Sequence, residues 1–216
     1  MHEKILLFPF GGNAREALTV IADINKDKET WDVLGFIDDN ESLRGREIQG
    51  VEVLGGRDIL GRYGDAKVLA VPGNPSEYLQ RRKIIDELQF FPQRFATVIH
   101  PSVVCSADAE VGFNSLLTPN VVINQGSRVG NHCVILPNTV ISHESSVGSY
   151  SCIGSNVSIS GSVSIGEQCY IGSGVTVKDG VTIGEGSLIG IGSNVLEDVP
   201  AGEVRAGNPA KFLRKI

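Results

Sequence analysis

The sequence predicts a small α/β unit followed by a parallel β-helix, and two periodicities and a glycine turn predict it. Fifteen aliphatic residues recur every six positions from Val111 to Val195: Val111, Leu117, Ile123, Val129, Ile135, Ile141, Val147, Ile153, Ile159, Ile165, Ile171, Val177, Ile183, Ile189 and Val195. A second series, four residues after each of these, is small or β-branched, as at Ser115, Val121, Ser127, Cys133 and Thr139. Neither the 3.6-residue period of a helix nor the two-residue period of a strand gives a hexad, whereas three short strands per turn of a triangular coil do. The third observation is Gly11-Gly12, which turns an apolar strand into a helix near the start of the chain.

Taken in order, Lys4 to Phe10 reads as a buried strand, and the glycine turn leads into a helix from about Asn13 to Ile24. Exposed N–H groups at such a helix start suit phosphate. The full G-x-G-x-x-G fingerprint is missing, because Pro9 and Phe10 stand where the first glycine and its neighbour would be, so dinucleotide redox binding is disfavoured. A second strand, Val33 to Ile37, ends in Asp38-Asp39, carboxylates placed to accept hydrogen bonds from a ribose or base, or simply to make a turn. A third strand, Lys67 to Val71, runs into Pro72-Gly73-Asn74 and a basic helix from about Ser76 to Leu88. Phe95 to Ile99 is a last short strand, and His100-Pro101 a hinge. Three or more βα units in this stretch imply a small parallel sheet flanked by helices over residues 1–99, with the coil over 100–216.

Within the coil, Gly112, Gly130, Gly148, Gly166 and Gly184 lie eighteen residues apart. They mark one corner in a vertical row, where the turn needs positive φ or no Cβ. Stacking strands ~4.8 Å apart gives a prism roughly 24 Å tall.

Composition narrows the function. A hydrophobic fraction of 41% and a charged fraction of 20% are those of a globular protein. The sequence shows no apolar run near membrane-spanning length and no signal peptide, which leads to the expectation of a cytoplasmic protein without a membrane partner. The net charge of −6 argues against nucleic acid. Of the four cysteines, Cys133 and Cys169 fall at inward coil positions, and Cys105 and Cys152 show no metal spacing. The tail is locally basic, with Arg205, Lys211, Arg214 and Lys215, either as a solvated terminus or as an anion-binding element.

The coil displays one reactive pair. His143, two residues past Ile141, faces outward and is followed by Glu144. An imidazole is the natural proton acceptor near neutral pH, and an adjacent carboxylate can fix its tautomer.

With Gly11-Gly12-Asn13-Ala14-Arg15-Glu16, Phe36-Ile37-Asp38-Asp39, His143-Glu144 and the tail from Val199-Pro200-Ala201-Gly202 to Ala206-Gly207-Asn208-Pro209-Ala210-Lys211 in view, the chain resembles a known family. It looks like the nucleotide-sugar acetyltransferases of the sialic-acid O-acetyltransferase and bacillosamine N-acetyltransferase type. These join a small Rossmann-like domain to a left-handed β-helix, and the handedness comes from that resemblance alone. The resemblance implies homotrimers, acetyl-CoA lying along the coil between subunits, no metal, and a nucleotide-linked amino sugar on the N-terminal domain, in a surface-polysaccharide pathway.

By the same resemblance His143 is the general base and Glu144 its companion. The Gly161 N–H faces the thioester carbonyl, and Ile191 contacts the pantetheine, with Lys211 on the cofactor side. Gly11 and Gly12 match the turn near the phosphates, and Asp38 and Asp39 the acidic pair near the base. Asn13, Gly73 and Asn74 are expected to join them in binding the substrate, the loop contacts around Asp38, Gly73 and Asn74 choosing the nucleotide and sugar. Two positions depart from the pattern: Asn13 stands where many members have His, and Cys152 where some have a second active-site His. Direct N-acetyl transfer is the leading expectation. O-acetylation of a sugar hydroxyl is the nearest rival. A zinc hydrolyase on the same coil would need three convergent histidines, and only His100, His132 and His143 lie near or in it. A non-catalytic trimeric nucleotide-binding scaffold is the alternative of another class.

Overall fold

The computed structural model describes residues 2–216. Strand β1 (Glu3–Phe8) is followed by helix α1 (Gly12–Asp27), then β2 (Trp31–Ile37), β3 (Glu47–Ile48), β4 (Val51–Gly55), β5 (Lys67–Ala70) and α2 (Gln80–Asp86). The sheet order is β3-β4-β2-β1-β5. It is parallel except where β3 and β4 form a hairpin. Helix α1 buries Ala14, Ala17, Leu18 and Ile21, the spacing of one helical face, and packs them against Ile5, Leu7 and Phe36 of the sheet.

Three expectations are corrected here. The return from β2 holds the hairpin β3–β4 and then a seven-residue 3₁₀ helix (Arg57–Tyr63), neither of which the sequence predicts. The second helix is broken into a 3₁₀ turn (Pro75–Glu77) and the seven-residue α2, because Pro75 and the Asn74 cap start one turn and Tyr78-Leu79 begin another. Val98–Ile99 pairs with Leu116–Leu117 and is already the first rung of the coil, while only Phe95 bridges back to Val68.

The second half is a left-handed parallel β-helix of two-residue strands. Its first face stacks Val104–Cys105, Val122–Ile123, Val140–Ile141, Ser158–Ile159, Thr176–Val177 and Asn194–Val195. The second stacks Glu110–Val111 through Thr182–Ile183, and the third Val98–Ile99 through Leu188–Ile189 and on to a closing hairpin, Glu203–Ala206 with Lys211–Lys215. The hexad residues form one continuous core, in which Ile123, Ile135, Ile141, Ile153, Ile159 and Ile171 are fully buried. Inward serines and Thr139 hydrogen-bond to carbonyls of the coil above, for example Ser145 Oγ to Ser160 O at 2.8 Å and Thr139 Oγ1 to Gly154 O at 2.7 Å. A hydroxyl there serves packing and satisfies a buried acceptor at once.

The glycine row needs its missing Cβ and not a positive φ. A methyl on Gly148 would overlap the backbone of Gly166, and one on Gly130 would lie 2.7 Å from Ser149 N. The left-handed residue of that corner comes two positions later, at Asn114, His132, Tyr150, Gln168 and Gly186.

The N-terminal domain covers the third face. Leu116, Val134, Cys152 and Tyr170 point out of the coil into its core, and Phe113 and Tyr150 meet it along the edge between the second and third faces. Helix α2 is clasped to that edge by Arg81, whose guanidinium donates to the carbonyls of Tyr150, His132 and Pro72, and by the Arg82–Glu167 ion pair.

Candidate functional site

His143 sits on the edge between the first and second faces, between Val140–Ile141 and Ser146–Val147. Its carbonyl accepts the Ser162 N–H at 2.9 Å, and Glu144, in the left-handed region at φ 56°, donates its N–H to Gln125 O at 2.9 Å. The backbone beneath the imidazole is therefore fixed by the coils on either side, while the ring itself is 64% exposed. Nδ1 lies 3.8 Å from Glu144 Oε2, beyond hydrogen-bond length, so the carboxylate is a nearby charge and not a fixed acceptor. Glu144 Oε2 also accepts from Ser162 Oγ at 3.3 Å.

Gly161 lies directly against this ring. A Cβ there would come within 2.5 Å of His143 Cε1 and 2.6 Å of Nε2, so the imidazole occupies the space a side chain would fill. The Gly161 N–H, the expected oxyanion donor, is given to Asp179 Oδ1 at 3.1 Å. Asp179 was not singled out in the sequence, and its only signal was a position one coil, eighteen residues, beyond Gly161.

The glycine turn forms a cavity of about 380 Å³ lined by Gly11, Gly12, Gly73, Asn74 and Arg81 among others. Gly11 caps α1 with no side-chain bond, and the first turn carries no acidic residue, so the first N–H groups of a sixteen-residue helix remain available to an anion. Asn13 donates to Val71 O at 3.2 Å and presses on Gly73, where any Cβ would overlap its amide. It also borders the cleft that holds Cys152 and Tyr170. Arg81 was not expected here. It is 1% exposed, its acceptors are neutral carbonyls, and among the described residues no carboxylate lies within 4.0 Å of it.

Asp38 and Asp39 do not line that cavity. Asp38 accepts the N–H of Phe10 at 2.9 Å and that of Asn40, pinning the turn from behind. Asp39 holds Arg57 through its N–H and Nε. Ile191, 80% exposed, and Lys211, on the closing hairpin, lie beyond the other edge of the first face, three rungs along the coil from His143. Within one chain, then, the predicted residues other than Asp38 and Asp39 fall in three places: His143, Glu144 and Gly161; Gly11, Gly12, Asn13, Gly73 and Asn74; and Ile191 with Lys211.

Among the described residues no three His, Cys, Asp or Glu side chains converge as metal ligands. His100 is bound to Asp23 and Ser102, and His132 is buried under Tyr150.

Comparison with solved structures matches the whole molecule. PerB from Caulobacter crescentus, in complex with CoA and GDP-perosamine, superposes with a TM-score of 0.84 at 26% identity, covering 99% of this chain and 98% of that one. The chain is similar throughout to the hexapeptide-repeat nucleotide-sugar N-acetyltransferases. A histidine-to-asparagine mutant of perosamine N-acetyltransferase from Caulobacter crescentus, with the same two ligands, gives 0.85 at 25% identity over 100% and 98% of the chains. The acetyltransferase domain of PglB from Neisseria gonorrhoeae, in complex with acetyl coenzyme A, shares the fold at 0.86 and 24% identity over 99% and 100%. The family model for the GMPPB C-terminal domain matches residues 95–191. No curated protein sequence matches the chain significantly.

Proposed function

We propose that the protein transfers the acetyl group of acetyl-CoA to the amine of a nucleotide-linked amino sugar, with His143 as the base. The observation that carries the reading is the full-length likeness to an N-acetyltransferase in complex with CoA and GDP-perosamine. The residues fit it, since the free helix start at Gly11-Gly12 suits a diphosphate and the exposed His143 offers a base held on a rigid backbone.

The positions of the two groups support a site shared between subunits. The N-terminal domain covers the third face of the prism, and His143 lies on the edge opposite that face. One chain cannot bring its own glycine-turn cavity to its own imidazole. A homotrimer that sets the His143 edge of one coil beside the N-terminal domain of the next would complete the site. The first face has an apolar strip for such packing, with Val104 59% exposed and Val122 and Val140 half-buried. Acetyl-CoA would then run along this face, its pantetheine past Ile191 and its phosphates toward Lys211 and the basic tail.

The chemistry is direct transfer. The neutral amine attacks the thioester carbonyl, His143 takes the amine proton, the C–S bond breaks, and CoA leaves as the thiol once the sulfur is protonated. A well-placed base contributes on the order of 10²–10⁴-fold. For the Gly161 N–H to steady the oxyanion, Asp179 must first release it. We assign the protein to the cytoplasm and to surface-polysaccharide synthesis; its four unpaired cysteines suit a reducing compartment.

Thiol release from acetyl-CoA with a panel of nucleotide-linked 3-amino and 4-amino sugars, each beside its hydroxyl counterpart, tests the proposal. Turnover confined to amino sugars supports it. Turnover confined to the hydroxyl series would assign O-acetylation instead, and failure to bind CoA would leave only a nucleotide-binding scaffold.

A further inference from the structure

Below α2, on the edge between the second and third faces, lies a cavity of about 310 Å³ that the proposed transfer reaction does not use. Its lining includes Asp86, Gln89, Phe90, Phe95, Phe113, His132 and Tyr150. The aromatic side chains form a continuous cluster: Phe90 against Phe95, Phe95 against Phe113, and His132 stacked on Tyr150 at 4.5 Å and edge-on to Phe95 and Phe113.

His132 is 5% exposed, and its tautomer can be read from its neighbour. Asn114 accepts the Ala70 N–H on Oδ1 at 2.8 Å and donates from Nδ2 to Ala70 O at 2.9 Å, a two-way bond that fixes which end of the amide is which. The same Nδ2 lies 2.8 Å from His132 Nδ1, so Nδ1 accepts and the proton of the neutral ring sits on Nε2. Burial holds that ring neutral, lowering its pKa to about 4. Nε2 has no hydrogen-bond partner among the described residues, and the cavity is the space it opens onto.

The same cavity lining carries an acceptor. The Asp86 carboxylate takes the Tyr150 hydroxyl on Oδ1 at 2.7 Å and leaves Oδ2 free. A cation would satisfy Asp86 and the aromatic rings but would place its charge toward the Nε2–H. The pair instead calls for a flat ring with a hydrogen-bond acceptor at one point and an N–H at another. A cavity of this size sits at the lower end of small-molecule sites, roughly 300–1,000 Å³, which suits one heterocyclic base.

We propose that this cavity binds a purine-sized heterocycle with a cyclic-amide edge, its carbonyl or ring nitrogen accepting from His132 Nε2 and its N–H donating to Asp86. The ring packs against Phe90 and Phe113, as bases do on aromatic platforms, while Tyr150, held between His132 and the Arg82 guanidinium, lines its edge. The site is linked to the glycine-turn cavity through one residue, because Arg81, which lines that cavity, donates from Nη2 to the His132 carbonyl at 2.6 Å.

Hypoxanthine, which carries the amide edge without ribose or phosphate, is the probe, with 1-methylhypoxanthine and tetramethylammonium as controls. Binding to the full chain is read by saturation-transfer NMR and isothermal titration. We expect millimolar or tighter binding of hypoxanthine, at least tenfold weaker for 1-methylhypoxanthine and for the Asp86→Ala protein. Asp86 is exposed on the rim, so that variant keeps the fold; a His132→Phe protein, checked for folding by circular dichroism, should lose binding to a similar degree. Hypoxanthine binding that Asp86→Ala leaves unchanged places the ligand elsewhere and overturns the proposal. So does the absence of hypoxanthine binding, or Asp86-dependent binding of tetramethylammonium alone. None of these readouts depends on acetyl transfer, so they stand or fall apart from the proposed reaction.

Discussion

The imidazole of His143 rests on the Cα of Gly161, one coil above it, with room for hydrogen alone between them. The contact ties the proposed base to a glycine that would otherwise read as an ordinary turn. Gly161→Ala should push the ring aside without disturbing the core, because the inward positions Ile159 and Val163 keep their places. A displacement of about 1 Å costs on the order of 100-fold in a positioned reaction, so kcat should fall by about that factor at an unchanged melting temperature. An alanine protein with wild-type turnover would show that the ring position does not matter.

His143→Ala should lower kcat by roughly 10²–10⁴-fold while nucleotide-sugar and CoA affinities stay constant in equilibrium titrations. Glu144→Gln should change kcat only a few-fold, because at 3.8 Å and with both groups well exposed the carboxylate holds the ring weakly. Near-wild-type turnover of His143→Ala would remove it as the base.

Asp179→Ala frees the Gly161 N–H that Asp179 Oδ1 now occupies. If that N–H serves the oxyanion, steady-state kinetics should show kcat unchanged or raised several-fold, with KM for the sugar unaffected. A fall of tenfold or more would mean that the carboxylate has a role of its own at the site.

Stability should depend on pH through His132. Burial lowers its folded pKa from the ordinary 6.5 to about 4. The unfolded chain therefore takes up a proton first as pH falls, and the native state loses stability between about pH 6.5 and pH 4. The full effect is on the order of 3 kcal/mol. Thermal melts of the wild type should drop across that window, and His132→Phe should flatten the drop; identical slopes would show that other groups dominate.

The two kinds of coil glycine should respond differently. Gly148→Ala overlaps the Gly166 backbone and should cost about 3 kcal/mol. Gly180, at φ 72° with open space around its Cα, stands at a corner that takes Glu144 and Ser162 in earlier coils. Gly180→Asn should cost under about 1 kcal/mol. Chemical denaturation of the pair decides whether close approach or backbone conformation governs the row.

Much of this was legible because a coil repeats its environment. Ile141 and Ile159 see the same neighbours, so a hexad in sequence is a rung in space, and the outward position of His143 follows from counting. The N-terminal domain was less legible. The β3–β4 hairpin has only two-residue and five-residue strands, too short for a periodic signal, and α2 is shorter than the sequence predicts because nothing between Ser76 and Leu79 marks where the 3₁₀ turn ends and the α-helix begins. Asp38 and Asp39 have the residue types of a ligand site, yet their carboxylates hold Phe10, Asn40 and Arg57, partners that sequence spacing does not reveal.

The sequence by itself determined the coil, its inward and outward faces and the glycine turn, because each rests on local period and backbone sterics. Tertiary structure alone decided that His143 meets Gly161, that Asp179 holds the Gly161 N–H, that Arg81 is buried beside the glycine-turn cavity, and that the N-terminal domain packs on the face opposite the His143 edge. Those relations join residues eighteen or more positions apart, and only the stacking of coils and the docking of the N-terminal domain on one face set their distances.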